Sequence, residues 1–160
     1  MRIIAQRVKE ASVNVDGRLV AAIDAGIMAL VAFGQEDGPD FRSAPAYTAM
    51  ARKLVGLRIF PGTGENAHKF HASLDEFGGK LLLVPQFTLY ADCRKGRRPS
   101  FTDAGDPAWA KDMFTDFVQM VDETCTVSVS SGIFGADMDV RLCNWGPVTI
   151  FLDSANLFSR

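Results

Sequence analysis

The run Lys80-Leu81-Leu82-Leu83-Val84 constrains this chain more than any other stretch. Its aliphatic side chains follow one another without a polar break, and in a strand successive side chains point to opposite faces, so both faces must be covered. The rest of the sequence has to supply the neighbouring strands and the covering layers. Residues 2–34 carry Val, Ile and Ala in short runs broken by Asp16-Gly17, a two-residue hairpin signal, and by Gly26, which predicts three or four opening strands. Residues 44–56 favour a helix with Gly56 at its exit. Leu57-Arg58-Ile59-Phe60 predicts another strand and Pro61-Gly62-Thr63-Gly64 a turn. Asp106-Pro107 pairs a capping carboxylate with a proline suited to the first turn of a helix, which is predicted to run to about Glu123. Trp109, Met113, Phe114, Phe117, Val118 and Val121 recur there at spacings of three and four, an apolar stripe that would lie on a sheet. Two last strands are predicted at 138–143 and 148–152, separated by Asn144-Trp145-Gly146-Pro147. With 160 residues, 48% of them hydrophobic, one mixed α/β domain over 1–160 can bury its own core.

Charge and cysteine usage narrow the classes. The formal net charge is -2, so bulk attraction to nucleic acid is not expected, and any contact with it must be local. Arg94-Lys95-Gly96-Arg97-Arg98 is the one dense basic stretch. No apolar run approaches membrane-spanning length, and Gln6, Arg7 and Lys9 interrupt the opening too early for a signal peptide, so no membrane association is expected. Cys93, Cys125 and Cys143 are odd in number, widely spaced and without a CxxC pair, which argues against a disulfide framework or a zinc knuckle and favours a cytoplasmic setting.

Candidate chemistry is sparse. Gly62-Thr63-Gly64-Glu65-Asn66-Ala67 lacks the strand and the downstream acidic residue of a dinucleotide loop, and is read as a turn. His68 and His71 would share a face if helical, but without a third ligand they define no metal site, so no metal or cofactor is expected. Cys93, beside Arg94 and Lys95, has a setting that would favour a thiolate nucleophile. There is no GxSxG elbow and no P-loop. Two segments remain unusual: Pro85-Gln86-Phe87-Thr88-Leu89 at the end of the buried strand, and Gly146-Pro147. Neither contains a histidine, carboxylate or thiol, and as structure alone the first would be a strand end and the second a tight turn.

Six blocks carry a resemblance. They are Gln6-Arg7-Val8 with Ala11-Ser12-Val13, Leu57-Arg58-Ile59-Phe60, Gln86-Phe87-Thr88-Leu89-Tyr90-Ala91-Asp92, Lys95-Gly96-Arg97-Arg98-Pro99-Ser100-Phe101, Gly132 with Phe134-Gly135-Ala136-Asp137-Met138, and Asn144 with Gly146-Pro147-Val148-Thr149. In this order and spacing the sequence resembles the D-aminoacyl-tRNA deacylase family nearly end to end. The resemblance implies a compact α/β domain with a mixed, barrel-like sheet flanked by two main helices. It also implies a cytoplasmic homodimer acting on the acceptor end of aminoacyl-tRNA, not on DNA, without a cofactor. Gly146 and Pro147, joined by a cis bond in the family, would enter the partner's pocket and exclude L residues. Gln86, Phe87 and Thr88 would surround the scissile carbonyl as catalytic residues, with backbone amides holding its oxygen and the substrate's ribose 2′-hydroxyl assisting water. Arg94, Lys95, Arg97 and Arg98 would contact tRNA phosphates.

Three positions depart from the family pattern: Pro85 where serine is usual, Trp145 where an acidic or small residue is usual, and Lys69-Phe70-His71 in place of Lys-Met-Asn. Proline at position 85 is similar to a related animal deacylase that removes L-alanine, whereas Phe87 matches the D-specific type. The alternatives are therefore a relaxed deacylase of L-alanyl-tRNA, a non-catalytic tRNA-binding module, and a cysteine hydrolase using Cys93.

Overall fold

A computed structural model of the chain describes residues 1–158, so the last two positions of the expected 1–160 domain lie outside the described residues. Strand β1 (Arg2–Val15) turns at Asp16-Gly17 into β2 (Arg18–Ile23), and β3 (Gly26–Ala32) follows, which are the expected opening strands. Helix α1 (Pro45–Val55) leads to the short strands β4 (Phe60–Pro61) and β5 (Phe70–Ala72), the small helix α2 (Leu74–Phe77) and β6 (Lys80–Pro85). The long helix α3 (Pro107–Thr124), β7 (Val129–Ser131), β8 (Asp139–Asp153) and α4 (Ser154–Phe158) complete the chain.

Strand β1 organises the sheet. One edge pairs with β3 over residues 2–8 and with β2 over 11–15, while β8 pairs antiparallel along the other edge. Beyond β3 the sheet continues in parallel through β6 and β7. The doubly buried strand behaves as its sequence demands. Leu81 and Leu83 join the core beneath the helices, with Ile27, Ala29 and Val31 of β3 and Met50, Leu54, Phe117 and Val121 of α1 and α3. Leu82 and Val84 face the other way, into a second core with Val8, Val13, Ile23 and Met28. That face is closed by the sheet itself as β2 comes round to β6 and β7, giving the expected barrel-like, mixed architecture. Asp106 caps α3 by accepting the Ala108 amide at 2.8 Å, ahead of Pro107. Of the apolar stripe, Met113, Phe114, Phe117 and Val121 are buried, and Trp109 and Val118 pack partly buried beside them.

The structure corrects several sequence-based expectations. Of the strand expected at Leu57–Phe60, only Phe60 lies in β4. The Ile59 amide folds back on the Leu57 carbonyl at 3.0 Å and the Ile59 carbonyl accepts from the Arg7 guanidinium, so neither group reaches a ladder. The two expected final strands are one, β8, because β1 is long enough to pair with both. Register shifts opposite residues 6–11 absorb the intervening residues as an irregularity rather than a turn. His68 and His71 share no helical face, since His71 is in β5 and His68 in the preceding turn. Strand β7 and helix α2 carried too little apolar periodicity to be predicted, though Ser73 and Glu76 form a capping box at α2.

Candidate active site

A cavity of about 370 Å³ opens where β3 and β6 end. Parallel strands leave such a crevice at their carboxyl ends, because the chain must depart there toward its crossover. Its walls are the end of β3 with Phe33, the end of β6 with Gln86 and Phe87, Phe101 and residues 104–107, then Ala110 and Phe114 of α3, and Phe134 with Gly135. The far wall is stitched to β3 by the Gly105 amide on the Phe33 carbonyl at 2.9 Å and the Gln35 amide on the Asp103 carbonyl at 2.8 Å. The lining is mostly apolar and aromatic. Phe87 and Phe101, both exposed at the surface, meet edge to face at 5.2 Å between centroids.

After Pro85 the chain bends into a 3-10 turn, Phe87–Tyr90. The Gln86 amide still bonds to the Val31 carbonyl at 2.8 Å, which fixes where the turn begins. The opening amides of such a turn, here those of Phe87 and Thr88, have no carbonyl of the turn to bond. Thr88 is exposed beside the cavity, and its Oγ1 accepts from Gln86 Nε2 at 2.6 Å, leaving its own proton free for another acceptor. Among the described residues no histidine, lysine or carboxylate bonds to that hydroxyl.

Gly146 and Pro147 lie elsewhere. Both are exposed, and neither lines the cavity of its own chain. The peptide bond between them is cis. Three groups hold the segment: Arg7 Nε donates to the Trp145 carbonyl at 3.0 Å, Asn144 Oδ1 accepts the Val148 amide at 3.0 Å, and Asn144 Nδ2 donates to Thr149 Oγ1 at 3.0 Å. Trp145 is turned inward, its ring 4.5 Å from the Arg7 guanidinium carbon and 5.9 Å from Phe77. Burial pushes the Arg7 pKa down from its ordinary value, a cost offset by two carbonyl acceptors and the aromatic face.

The basic segment forms a projecting loop closed at its neck by the paired backbones of Asp92 and Ser100, at 2.8 and 2.9 Å. Phe101, next in sequence, brings the loop beside the cavity through its contact with Phe87. The four cations differ. Arg94 is held by Asp92 in a two-pronged pair, Nε to Oδ1 and Nη2 to Oδ2 at 2.8 Å each. Lys95, Arg97 and Arg98 are exposed and make no ion pair among the described residues. Cys93 is exposed on the same loop, with Arg2, Tyr90, Asp92, Arg94 and Asp103 around it and no histidine to serve as a base.

The structure therefore brings Gln86, Phe87 and Thr88 together, sets the basic loop beside them, and places Gly146-Pro147 apart. Sequence reasoning passed over Phe101, Ala110 and Phe114 as wall residues, since Ala110 and Phe114 sit on a stripe that reads as plain core. The inward anchoring of Trp145 also had no sequence signal, because its partner Arg7 is remote in the chain.

Known proteins share both sequence and fold. The family described as D-Tyr-tRNA(Tyr) deacylase is matched over residues 4–153. A D-aminoacyl-tRNA deacylase of Desulfovibrio desulfuricans is 78% identical over 158 residues, 99% of each chain. Another, of Solidesulfovibrio magneticus, is 55% identical over 157 residues, 98% of each. A solved structure described as a c-Myc DNA unwinding element binding protein superposes with a TM-score of 0.84 at 33% identity, covering 96% of this chain and 98% of that one. A probable eukaryotic D-amino acid tRNA deacylase shares the fold, with a TM-score of 0.77 at 22% identity over 95% of this chain and 98% of its own.

Proposed function

This chain belongs to the D-aminoacyl-tRNA deacylase family and is a hydrolase of D-aminoacyl-tRNA, and on that premise we propose that the cavity after β3 and β6 takes the terminal adenosine and the scissile ester. The carrying observation is a cavity with aromatic walls beside a turn whose first amides have no hydrogen-bond partner among the described residues. Phe87 and Phe101 offer faces and edges to a base, as single-stranded RNA ends require. The amides of Phe87 and Thr88 hold the carbonyl oxygen as charge develops on it. An aminoacyl ester is already activated, so positioning and oxyanion stabilisation suffice, with the substrate's 2′-hydroxyl assisting the attacking water. Thr88, oriented by Gln86, positions groups by donating its free proton; it has no base to make it a nucleophile.

In this reading two chains pair, and Gly146-Pro147 of one enters the cavity of the other, where their backbone carbonyls leave no room for an L side chain. Glycyl-tRNA, which has no side chain, is accepted. The exposure of Gly146 and Pro147, their absence from their own cavity and their rigid anchoring by Arg7 and Asn144 support it. Lys95, Arg97 and Arg98 bind phosphates of the acceptor stem in the cytoplasm. Among the described residues no helix is long and apolar enough to cross a membrane.

The test is hydrolysis of matched D-tyrosyl, L-tyrosyl, glycyl and L-alanyl tRNA at fixed salt. Release from the D and glycyl esters alone is expected. Release from L-alanyl tRNA would favour a relaxed specificity, for which Pro85 in the cavity wall is the motivating observation. Binding without any release would leave only a tRNA-binding module.

A further inference from the structure

At the end of the turn, outside the cavity wall, lies an arrangement that the reaction as described does not use. Arg2 reaches from the first residue of β1 and donates Nη1–H to the carbonyl of Leu89 at 3.0 Å. Its guanidinium carbon stands 4.2 Å from the centroid of Tyr90, and Nε–H donates to Asp153 Oδ2 at 3.1 Å. One planar side chain thus grips a carbonyl and a ring from the last two residues of the turn, with a carboxylate at the end of β8 fixing its own orientation. The ring beneath it is equally fixed. Tyr90 is buried, its hydroxyl lies 3.5 Å from Asp37 Oδ2, and its ring packs so tightly on Gly34 that a Cβ there would come within 2.4 Å. Burial, reinforced by Asp37, raises the Tyr90 pKa and keeps the phenol neutral. Arg2 itself is not part of the cavity wall.

We propose that Arg2, oriented by Asp153, is a positioning residue for hydrolysis: by clamping Leu89 and Tyr90 it sets the pitch of the Phe87–Tyr90 turn and so aims the Phe87 and Thr88 amides at the carbonyl oxygen. The inference rests on the reading of that turn as the carbonyl-binding element. The physical reason is leverage. A single 3-10 turn has poor internal hydrogen-bond geometry and frays easily, and one end of this turn is already fixed by the Gln86 amide on Val31. Oxyanion donors contribute only if they stay within hydrogen-bond reach of the developing charge, and displacements near 1 Å lower rates severely. Lysine cannot replace the planar fork, because an ammonium does not serve the carbonyl, the carboxylate and the ring in one fixed geometry.

The test compares Arg2→Ala, Arg2→Lys and Asp153→Asn with the unmodified enzyme, using D-tyrosyl-tRNA across a salt series and amide hydrogen exchange in the free protein. We expect Arg2→Ala to lower kcat about tenfold or more while KM and its salt slope hold within about twofold. Arg2→Lys should recover part of the loss, and Asp153→Asn should show a smaller effect of the same kind. Exchange at Leu89, Tyr90 and Ala91 should quicken, while that at Leu82 in β6 stays slow. A raised KM with unaltered kcat and a shallower salt slope would make Arg2 a phosphate contact and overturn the proposal. Unaltered exchange and unaltered kcat would remove the clamp and leave the active-site reading standing. Faster exchange with full kcat would sink the proposal through that reading, since a loosened turn would then not matter to the chemistry.

Discussion

At the scale of single residues, the basic loop shows how one carboxylate edits a charge pattern. Four cations within five residues read as one patch, yet Arg94 is committed to Asp92 through two side-chain hydrogen bonds and a third from its backbone amide at 2.9 Å. Those bonds hold the Asp92 carboxyl below the ordinary aspartate range, at about 2, with the side-chain bond the larger cause. Because this pKa is depressed, the pairing is present above the unfolded value of ~3.9 and is lost as pH falls toward 2. At working pH the clamp is closed and the loop offers Lys95, Arg97 and Arg98. Asp92→Asn should therefore free the Arg94 guanidinium and remove one negative charge beside the tRNA. We expect a lower KM at low salt and a log KM against log salt slope steeper by up to about one. Equal KM values and slopes for the two proteins would show that the loop does not touch phosphate. An NMR titration of the Asp92 carboxyl should find its midpoint near 2 and return it toward ~3.9 in Arg94→Ala.

At the scale of elements, the interrupted strand β8 is the part on which the sequence was most and least informative. Its two halves were legible from alternation, and Gly146-Pro147 from the family resemblance. Their union into one strand was not, because the signal for it is the length of β1, which is far away in sequence. The same holds for the turn after β6. Its residues stood out, but a Gln-Phe-Thr-Leu run has no turn chemistry of its own, and the turn is set by the Val31 carbonyl and by Arg2. Nor could Leu57, Arg58 and Ile59 be recognised as non-sheet, since Arg7 claims the Ile59 carbonyl from outside the segment. Helix α3 was readable throughout, because its cap, first-turn proline and stripe are all local. The irregularity in β8 also yields a test. Gly146 has φ +132°, where L side chains are strained, and an added Cβ would lie 2.7 Å from Val148 Cγ2 and 3.0 Å from Arg7 Nη2. Gly146→Ala must move this segment, at a local cost of roughly 1–3 kcal/mol. D-tyrosyl-tRNA hydrolysis should fall about tenfold or more while the melting temperature drops by roughly 2–12 °C, what that cost produces in a chain of this size. Full activity with full D over L discrimination would refute the role given to the segment.

At the scale of the whole molecule, each chain has its cavity at the carboxyl ends of β3 and β6 and its Gly146-Pro147 segment at another place on the sheet. Arg7, which anchors that segment, pairs with Ile27 in β3, four residues before Val31 at the cavity. Strand rise puts those positions roughly 13 Å apart along the sheet. A rigid strand cannot fold across that span, so if the segment is to screen the substrate it must screen the one held by another chain. A closed two-fold dimer provides this reciprocally, each copy completing the other's site. Chain mixing tests the arrangement directly. A chain carrying Gln86→Ala and Thr88→Ala lacks a working turn but keeps a sound Gly146 segment, and a Gly146→Ala chain has the opposite defect. Either alone should be nearly inactive on D-tyrosyl-tRNA. Unfolded and refolded together in equal amounts, about half of the dimers are mixed, and each mixed dimer contains one site with both defects and one with neither, so about a quarter of unmodified activity should return. If each chain used its own segment, every site in the mixture would carry one defect, and no activity would return.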